Sequence, residues 1–258
     1  MSRTVMITGA AGGIGRAVAE RFVADGHQVV GVDLTDPRVD GVTYLRADVT
    51  DASDVSAAVR EAVARFGRLD TLVTCAGVTS GNPLHRTTAD EWDGVLSVNL
   101  TSVFLCVREV LPVMMAAGSG SVVTVGSVLH RTAAPGLPAY AAAKAAIAGL
   151  TRQLAVDYGQ HGISFVTVSP GWIRTSATES RLDGTGDLNR LRQSNPLGLL
   201  GDPQQVAATV AFAASADAVL LNGSELVLDA GASAVSPASL LRDAHRQRMG
   251  LPPLSAGE

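Results

Sequence analysis

Short β-branched runs alternate with Ala-rich stretches along almost the whole chain, and this alternation restricts the fold more than any other feature. The runs are Val5–Thr8, Gln28–Asp33, Thr43–Ala47, Thr71–Cys75, Ser121–Val125, Ser164–Val168 and Glu225–Leu228. Many are almost continuously apolar, as expected of strands covered on both faces. Between them, Ile14–Ala24, Val55–Phe66, Glu91–Met115, Tyr140–Tyr158 and Pro203–Ala214 read as helices. Asp51 and Asp202–Pro203 mark helix starts, with a capping acid or a proline in the first turn. The pattern predicts an α/β protein: a doubly wound, seven-stranded parallel sheet with right-handed crossovers and helices on both faces.

No linker or internal repeat divides this pattern, so residues 1–231 are expected to form one domain and 232–258 a C-terminal extension. The longest stretch without periodicity lies between Gly171 and Pro196. A segment of that length in a compact domain is more often functional than idle, and residues 172–196 are expected to act as a lid over a substrate. The 20 basic and 24 acidic residues give a net charge of −4. Without a basic cluster, the chain has no electrostatic footprint for nucleic acid. No apolar run approaches the length needed to cross a bilayer, and the N-terminus enters a strand directly, without the pattern of a signal peptide. Two cysteines, Cys75 and Cys106, make no disulfide framework. A soluble, cytoplasmic protein is the expectation.

The first run leads into Thr8-Gly9-Ala10-Ala11-Gly12-Gly13-Ile14-Gly15, which opens a helix. Glycines there let a phosphate approach the backbone, and the helix amino end supplies donors and a positive dipole. The spacing is Gly-x-x-x-Gly-x-Gly, and a turn used only for packing is the alternative. Context favours a Rossmann-type dinucleotide site. Asp33 ends the second strand about 20 residues on, where a carboxylate takes the adenosine ribose hydroxyls and repels a 2′-phosphate. No cation stands within the glycine turn or directly after Asp33. The expected cofactor is therefore NAD. Asp48 and Val49, ending the third strand, are placed near the adenine.

Nineteen of the 20 cations are Arg; the one lysine is Lys144. It follows Tyr140 by four in an Ala-rich helix, which sets both side chains on one face, a turn apart. An ammonium beside a phenol favours the phenolate, so Tyr140 can exchange a proton near neutral pH. With three tyrosines in 258 positions, chance would place a lone lysine four after one of them roughly 1% of the time. Ser127 ends the fifth strand, where the sheet's carboxyl edge faces a ligand crevice, and can donate to a substrate oxygen. Asn99 lies within a helix that its amide does not favour; a solvated polar face is an equal reading for it.

These residues together resemble the short-chain dehydrogenase/reductase family. The glycine turn, Asn99, Ser127 and Tyr140-x-x-x-Lys144 occur in its order and spacing, joined by Cys75-Ala76-Gly77 and Pro170-Gly171-Trp172-Ile173-Arg174-Thr175. Asn195-Pro196, Gly201-Asp202-Pro203 and Asn222-Gly223 leading to Asp229-Ala230-Gly231 add C-terminal markers, so the likeness spans residue 3 to about 231. It implies an oxidoreductase that interconverts a secondary alcohol and a ketone, with NAD bound by Gly9, Gly12, Gly13, Ile14, Gly15, Asp33, Asp48, Val49, Ala76, Gly77, Pro170 and Gly171. By resemblance, Tyr140 is the acid/base, Lys144 holds the nicotinamide ribose, Ser127 bonds the reacting oxygen and Asn99 anchors a relay water. The Ile173 backbone and Thr175 would fix the carboxamide. The chain departs from the family at Thr74 and Cys75, where two asparagines are usual, at Leu199 for an arginine, and at Ala230 for a glycine. Cys75 reads as a small buried hydrophobe.

The substrate pocket is expected between residues 78–85, 128–134 and 172–194. Leu129, His85, His130, Arg131 and Trp172 are candidate contacts; for His85 and His130 a surface role serves as well, and for Trp172 packing of the lid does. No metal-ligand spacing is present. The family resemblance implies a homotetramer paired through the Asn99–Met115 and Tyr140–Tyr158 helices. The tail, with Leu240, Leu241, Met249, Leu251 and Leu254, is expected to fold over a neighbouring subunit or the active-site mouth. Two other functions stand beside this reading: an NADPH-dependent reductase of 3-oxoacyl thioesters, and a dinucleotide-binding regulator without turnover.

Overall fold

A computed structural model describes residues 2–36, 39–176, 178–179, 191, 194–235 and 246–252. Seven parallel strands form one sheet in the order β3-β2-β1-β4-β5-β6-β7. They are β1 (Thr4–Thr8), β2 (Gln28–Asp33), β3 (Val42–Arg46), β4 (Thr71–Thr74), β5 (Gly120–Val125), β6 (Ile163–Pro170) and β7 (Glu225–Leu228). The order reverses between β1 and β4, which pair from Val5↔Thr71 to Thr8↔Thr74. Crossovers leave β1 toward one side and β4 toward the other, so a crevice opens above the carboxyl ends of this pair.

Strand alternation divides the core into two layers. Met6, Leu72, Val122 and Phe165 face α2 (Ala52–Phe66), α4 (Ser102–Ala117) and α5 (Pro138–Tyr158). Val5, Ile7, Val73, Val123 and Val166 face α1 (Gly13–Ala24) and α6 (Pro203–Ala213). Burial on both faces explains why β1 reads Thr-Val-Met-Ile-Thr with no outward polar position. Helix starts follow the sequence cues: the Asp51 side chain accepts from Ser53 N at 2.7 Å and Asp54 N at 3.1 Å, and Asp202 caps α6 with Pro203 in its first turn.

The helix expected over Glu91–Met115 is a composite. An α3 segment (Ala89–Leu96) runs into a π turn, Ser97–Thr101, before α4 begins. Thr88 and Glu91 close a reciprocal cap at the start, with Glu91 N donating to Thr88 Oγ1 and Thr88 N to Glu91 Oε2. The continuous run Ala89–Ala117 is long and apolar enough, by length and composition, to cross a bilayer, which corrects the expectation that no segment approaches that length. Its apolarity has another use here: Val103, Val107, Val110 and Met114 pack into the core against the sheet. Of the tail, Met249 and Leu251 are exposed; Leu240, Leu241 and Leu254 lie outside the described residues, as does most of the expected lid.

Candidate active site

A cleft of about 940 Å³ opens at the carboxyl edge, over the β1/β4 switch point. Every residue placed there from sequence lines it: Gly9, Gly12, Gly13, Ile14, Gly15, Asp33, Asp48, Val49, Ala76, Gly77, Asn99, Ser127, Tyr140, Lys144, Pro170, Gly171, Ile173 and Thr175. Its floor is a close approach of backbone. A methyl on Gly15 would come within 2.1 Å of the Gly9 carbonyl, so α1 could not start this near the turn with any larger residue. The amino end of α1 therefore faces the cleft with its unpaired first-turn amides. Asp33 reaches across from β2. Its Oδ2 accepts from Ala11 N at 3.0 Å and its Oδ1 from Thr35 N at 3.2 Å. Asp48 is braced similarly, its Oδ1 accepting from Thr50 N and Oγ1 at 2.8 and 2.7 Å.

Helix α5 carries Tyr140 and Lys144 into the same cleft. Lys144 is buried, and its Nζ donates to the Val125 carbonyl at 2.9 Å and stands 5.5 Å from the centroid of the Tyr140 ring. Burial brings this amine down to about 8, against a weaker upward pull from Cys75. Near neutral pH it thus keeps a charge that is close to being shed. Cys75 itself is pushed up to about 12 by burial, with Lys144 opposing. Cys75 is partly rather than fully buried, packed against the core, and a thiol of that kind is a poor nucleophile.

Asn99 is fully buried, so the solvated-face reading is wrong, and the π turn is the reason. The extra residue in that turn rotates Asn99 inward and frees backbone carbonyls from the regular ladder. Its Nδ2 donates to Val95 O, one turn back, and to Val78 O in the loop after β4, both at 2.9 Å. Its Oδ1 is buried without a protein partner. A methyl placed on Gly77 would be 2.9 Å from that oxygen and 3.8 Å from Lys144 Nζ. An unpaired acceptor and an ammonium hence flank one small volume. Ser127 is also buried; its Oγ accepts from Leu129 N at 3.2 Å, leaving the hydroxyl hydrogen for an acceptor in the cleft.

A second cavity of about 540 Å³ adjoins the first, and Ser127, Tyr140, Gly171, Ile173 and Thr178 border both. Leu129 and Trp172 line it. His130 does not: its ring turns away, with Nδ1 2.6 Å from the Ser127 carbonyl and Nε2 2.8 Å from Glu225. His85 is exposed and also lies outside it. Residues 197–209 and 228–233 form a wall beyond the expected lid, including Leu199, Val206, Leu228, Ala230 and Ser233. Nothing short of the three-dimensional path of β7 and α6 would have placed them, although the Asp229-Ala230-Gly231 turn marked the neighbourhood. No cluster of His, Cys, Asp and Glu among the described residues could hold a metal.

A family model described as enoyl-(acyl carrier protein) reductase matches residues 9–233. The chain is 38% identical over 250 residues to 2-(R)-hydroxypropyl-CoM dehydrogenase of Xanthobacter autotrophicus, covering 91% of this chain and all of that protein. It is 36% identical over 239 residues to the 3-oxoacyl-[acyl-carrier-protein] reductase FabG of Salmonella typhimurium, covering 89% and 96%. The solved structure of aldohexose dehydrogenase from Thermoplasma acidophilum, ligand-free, superposes with a TM-score of 0.88 at 30% identity, covering 92% and 96%. The chain belongs to the short-chain dehydrogenase/reductase family. It is an oxidoreductase whose family binds a nicotinamide dinucleotide, and its Rossmann-type sheet is the scaffold of that family.

The residues present fit such a cofactor. The cleft joins a backbone floor able to receive a pyrophosphate, a carboxylate at the end of β2 and an ammonium at its far end. Thr175 closes the other side: a methyl on Gly13 would meet Thr175 Cγ2 at 2.6 Å. The segment bearing Thr175 is pinned by Thr178, whose Oγ1 donates to the Ile173 carbonyl at 2.6 Å and accepts from Thr175 N at 2.8 Å.

Proposed function

We propose that this short-chain dehydrogenase/reductase is an NAD(H)-dependent enzyme interconverting a secondary alcohol and a ketone, with Tyr140 as the acid/base. The observation that carries the reading is the pairing on α5: Tyr140 and the chain's one lysine share a helix face, where dinucleotide cleft meets apolar cavity. The nicotinamide, when bound, supplies or accepts the hydride. In the oxidation direction, Tyr140 takes the alcohol proton as the C–H hydrogen leaves; in reduction, it returns that proton to the carbonyl oxygen. Lys144 favours the ionised phenol electrostatically and would hold the nicotinamide ribose when the cofactor is bound. Ser127 donates to the reacting oxygen and fixes it beside Tyr140. A water held between Asn99 Oδ1 and Lys144 Nζ carries the proton onward.

Asp33 supports NAD over NADP, since one of its oxygens already faces the glycine turn and a 2′-phosphate there would meet a carboxylate. The 2-hydroxypropyl group named for the Xanthobacter relative is a secondary alcohol, which supports the reaction class. In the same reading Phe104 and Val156, exposed on α4 and α5, are covered in a homotetramer in the cytoplasm. The FabG relative supports a second reading, NADPH-dependent reduction of a 3-oxoacyl thioester. NADH formation from 2-butanol, trans-1,2-cyclohexanediol and D-glucose tests the reaction class, and initial rates with both cofactors separate the two readings. Tyr140→Phe is expected to lower turnover about 1,000-fold while dinucleotide affinity holds. Retained turnover refutes the assigned acid/base, and a strong preference for NADPH overturns NAD.

A further inference from the structure

Behind Ser127, outside both cavities, lies a buried polar cluster that the chemistry above does not use. The His130 and Glu225 side chains are 7% and 8% exposed, their nearest atoms Nε2 and Oε2 being 2.8 Å apart. Glu225 opens β7, and its other oxygen, Oε1, accepts from Ser169 Oγ at the end of β6. Arg131, on the outer side, brings Nη2 to Glu225 Oε2 at 3.0 Å and Nε to His130 Nε2 at 2.7 Å. On the inner side, His130 Nδ1 lies 2.6 Å from the Ser127 carbonyl, which also accepts from His130 N at 3.2 Å.

Hydrogen-bond chemistry fixes one end of this arrangement. A carbonyl only accepts, so Nδ1 carries a hydrogen and donates to Ser127 whether the ring is neutral or charged. At Nε2 the two contacts cannot both be hydrogen bonds. A charged ring donates directly to Glu225. A neutral ring accepts from Arg131 Nε, and the guanidinium then bridges ring to carboxylate. Either way the imidazole is anchored to β7 at one end and holds the Ser127 peptide at the other. The turn after β5 is thereby tied to Glu225 at the start of β7 and, through it, to Ser169 near the end of β6.

We infer that His130 and Glu225 are positioning residues for Ser127: they hold its carbonyl, and so aim its hydroxyl, without touching the substrate. The inference rests on the role proposed for Ser127 above. A displacement of about 1 Å at a positioned group can reduce turnover up to 100-fold, so loss of the anchor should act on kcat.

The histidine offers two conservative exchanges that split its functions. The Asn amide nitrogen can stand where Nδ1 stands, and the Gln amide nitrogen reaches toward the place of Nε2. In the full-length enzyme with NAD and the fastest of 2-butanol, trans-1,2-cyclohexanediol and D-glucose, His130→Ala and Glu225→Ala should lower kcat about ten- to 100-fold and leave the KM for NAD unchanged. His130→Asn should restore more turnover than His130→Gln. Hydrogen exchange in the segment 126–132 should speed up in His130→Ala and less in His130→Asn, which reads the clamp without relying on activity. The inference is overturned if His130→Ala keeps wild-type kcat and exchange, if Gln rescues better than Asn, or if kcat falls only in step with NAD affinity and melting temperature. Ser127→Ala separates the two levels. If it retains turnover, the role of Ser127 fails and the inference with it; if it is inactive while His130→Ala is not, the inference alone fails.

Discussion

The two cavities that meet at Tyr140 are built by different means. The larger is built around glycine backbone and a few charges: the glycine turn, the amino end of α1, Asp33 and Lys144. The smaller is mostly side chains, with Leu129, Leu137, Trp172, Leu199, Val206 and Leu228 drawn from five separate stretches of chain. A site that must bring backbone against a ligand needs residues with few substitutes, because a methyl at Gly15 would fall 2.1 Å from Gly9 O. A site shaped by side chains can be assembled from many combinations of ordinary apolar residues. The first kind fixes a shared cofactor, and the second adapts to a particular substrate.

The comparison breaks most sharply at Lys144, where the larger cleft depends on one charge. Lys144→Met is expected to reduce turnover about 1,000-fold, within the range of a lost proton-transfer partner. Stability should move the other way or stay level. The folded amine sits at about 8 against an ordinary 10.5, so at pH 7 it is charged where burial disfavours charge. The sign follows from proton uptake: the unfolded chain binds the proton more tightly, so the penalty on folding is full below pH 8 and fades as pH rises from 8 to 10.5. Melting of the ligand-free Met variant should therefore match or exceed wild type at pH 7, and any advantage should shrink toward pH 10. If both activity and melting temperature fall together, Lys144 is a packing residue and the electrostatic account fails.

A smaller effect is expected at the opposite end of that cleft. Asp33 is joined by Leu34, 58% exposed at the cleft wall. Asp33→Ser with Leu34→Arg replaces a carboxylate by a hydroxyl and adds a guanidinium within reach of a 2′-phosphate. The ratio of kcat/KM for NADP to that for NAD should rise about 100-fold, or about 2.7 kcal/mol of relative binding. If the ratio does not move, the adenosine ribose does not lie against Asp33. The smaller cavity supplies the control: neither change touches its walls, so the ranking of alcohols should stay as in the wild type.

The same contrast sets how much was legible in the sequence. The seven parallel strands and the larger cleft followed from short, almost continuously apolar runs and from residues whose chemistry has few uses. Lys144 stood out because no other lysine dilutes it. Asn99 was only half legible. Its place in the motif was visible, but its burial depends on a π turn that no periodicity announces, and the amide's two bonds to Val78 O and Val95 O exist only after that turn forms. His130 was misjudged for a related reason. Its sequence neighbours placed it beside the substrate, whereas its orientation is set by Glu225, 95 positions away on β7. The second wall of the smaller cavity was missed because Val206, Leu228 and Ser233 are unremarkable residues until β7 brings them to the edge.

The smallest expected effect tests that wall directly. Ala230 lines the smaller cavity and is the one non-glycine among the described residues with a left-handed backbone, at φ 53°. Its place between two turn anchors holds it there. Asp229 Oδ1 accepts from Gly231 N at 2.9 Å and Oδ2 from Ser233 N at 2.7 Å. Burial pushes the Asp229 carboxyl up, but these donors outweigh it and hold it below its usual range, so the anchors persist at neutral pH. An alanine in this conformation costs about 1–2 kcal/mol, and glycine avoids that strain while giving back about 0.5–1 kcal/mol of chain entropy. Ala230→Gly should thus stabilise by up to about 1 kcal/mol, or about 2–4 °C in melting temperature. Kinetics with NAD should not change, since the methyl lies outside the larger cleft, while the KM for a bulky alcohol should shift modestly as that wall recedes. A fall in melting temperature would mean that the methyl's packing outweighs its strain, so that even in the adaptable half of the site one backbone position is held by its side chain.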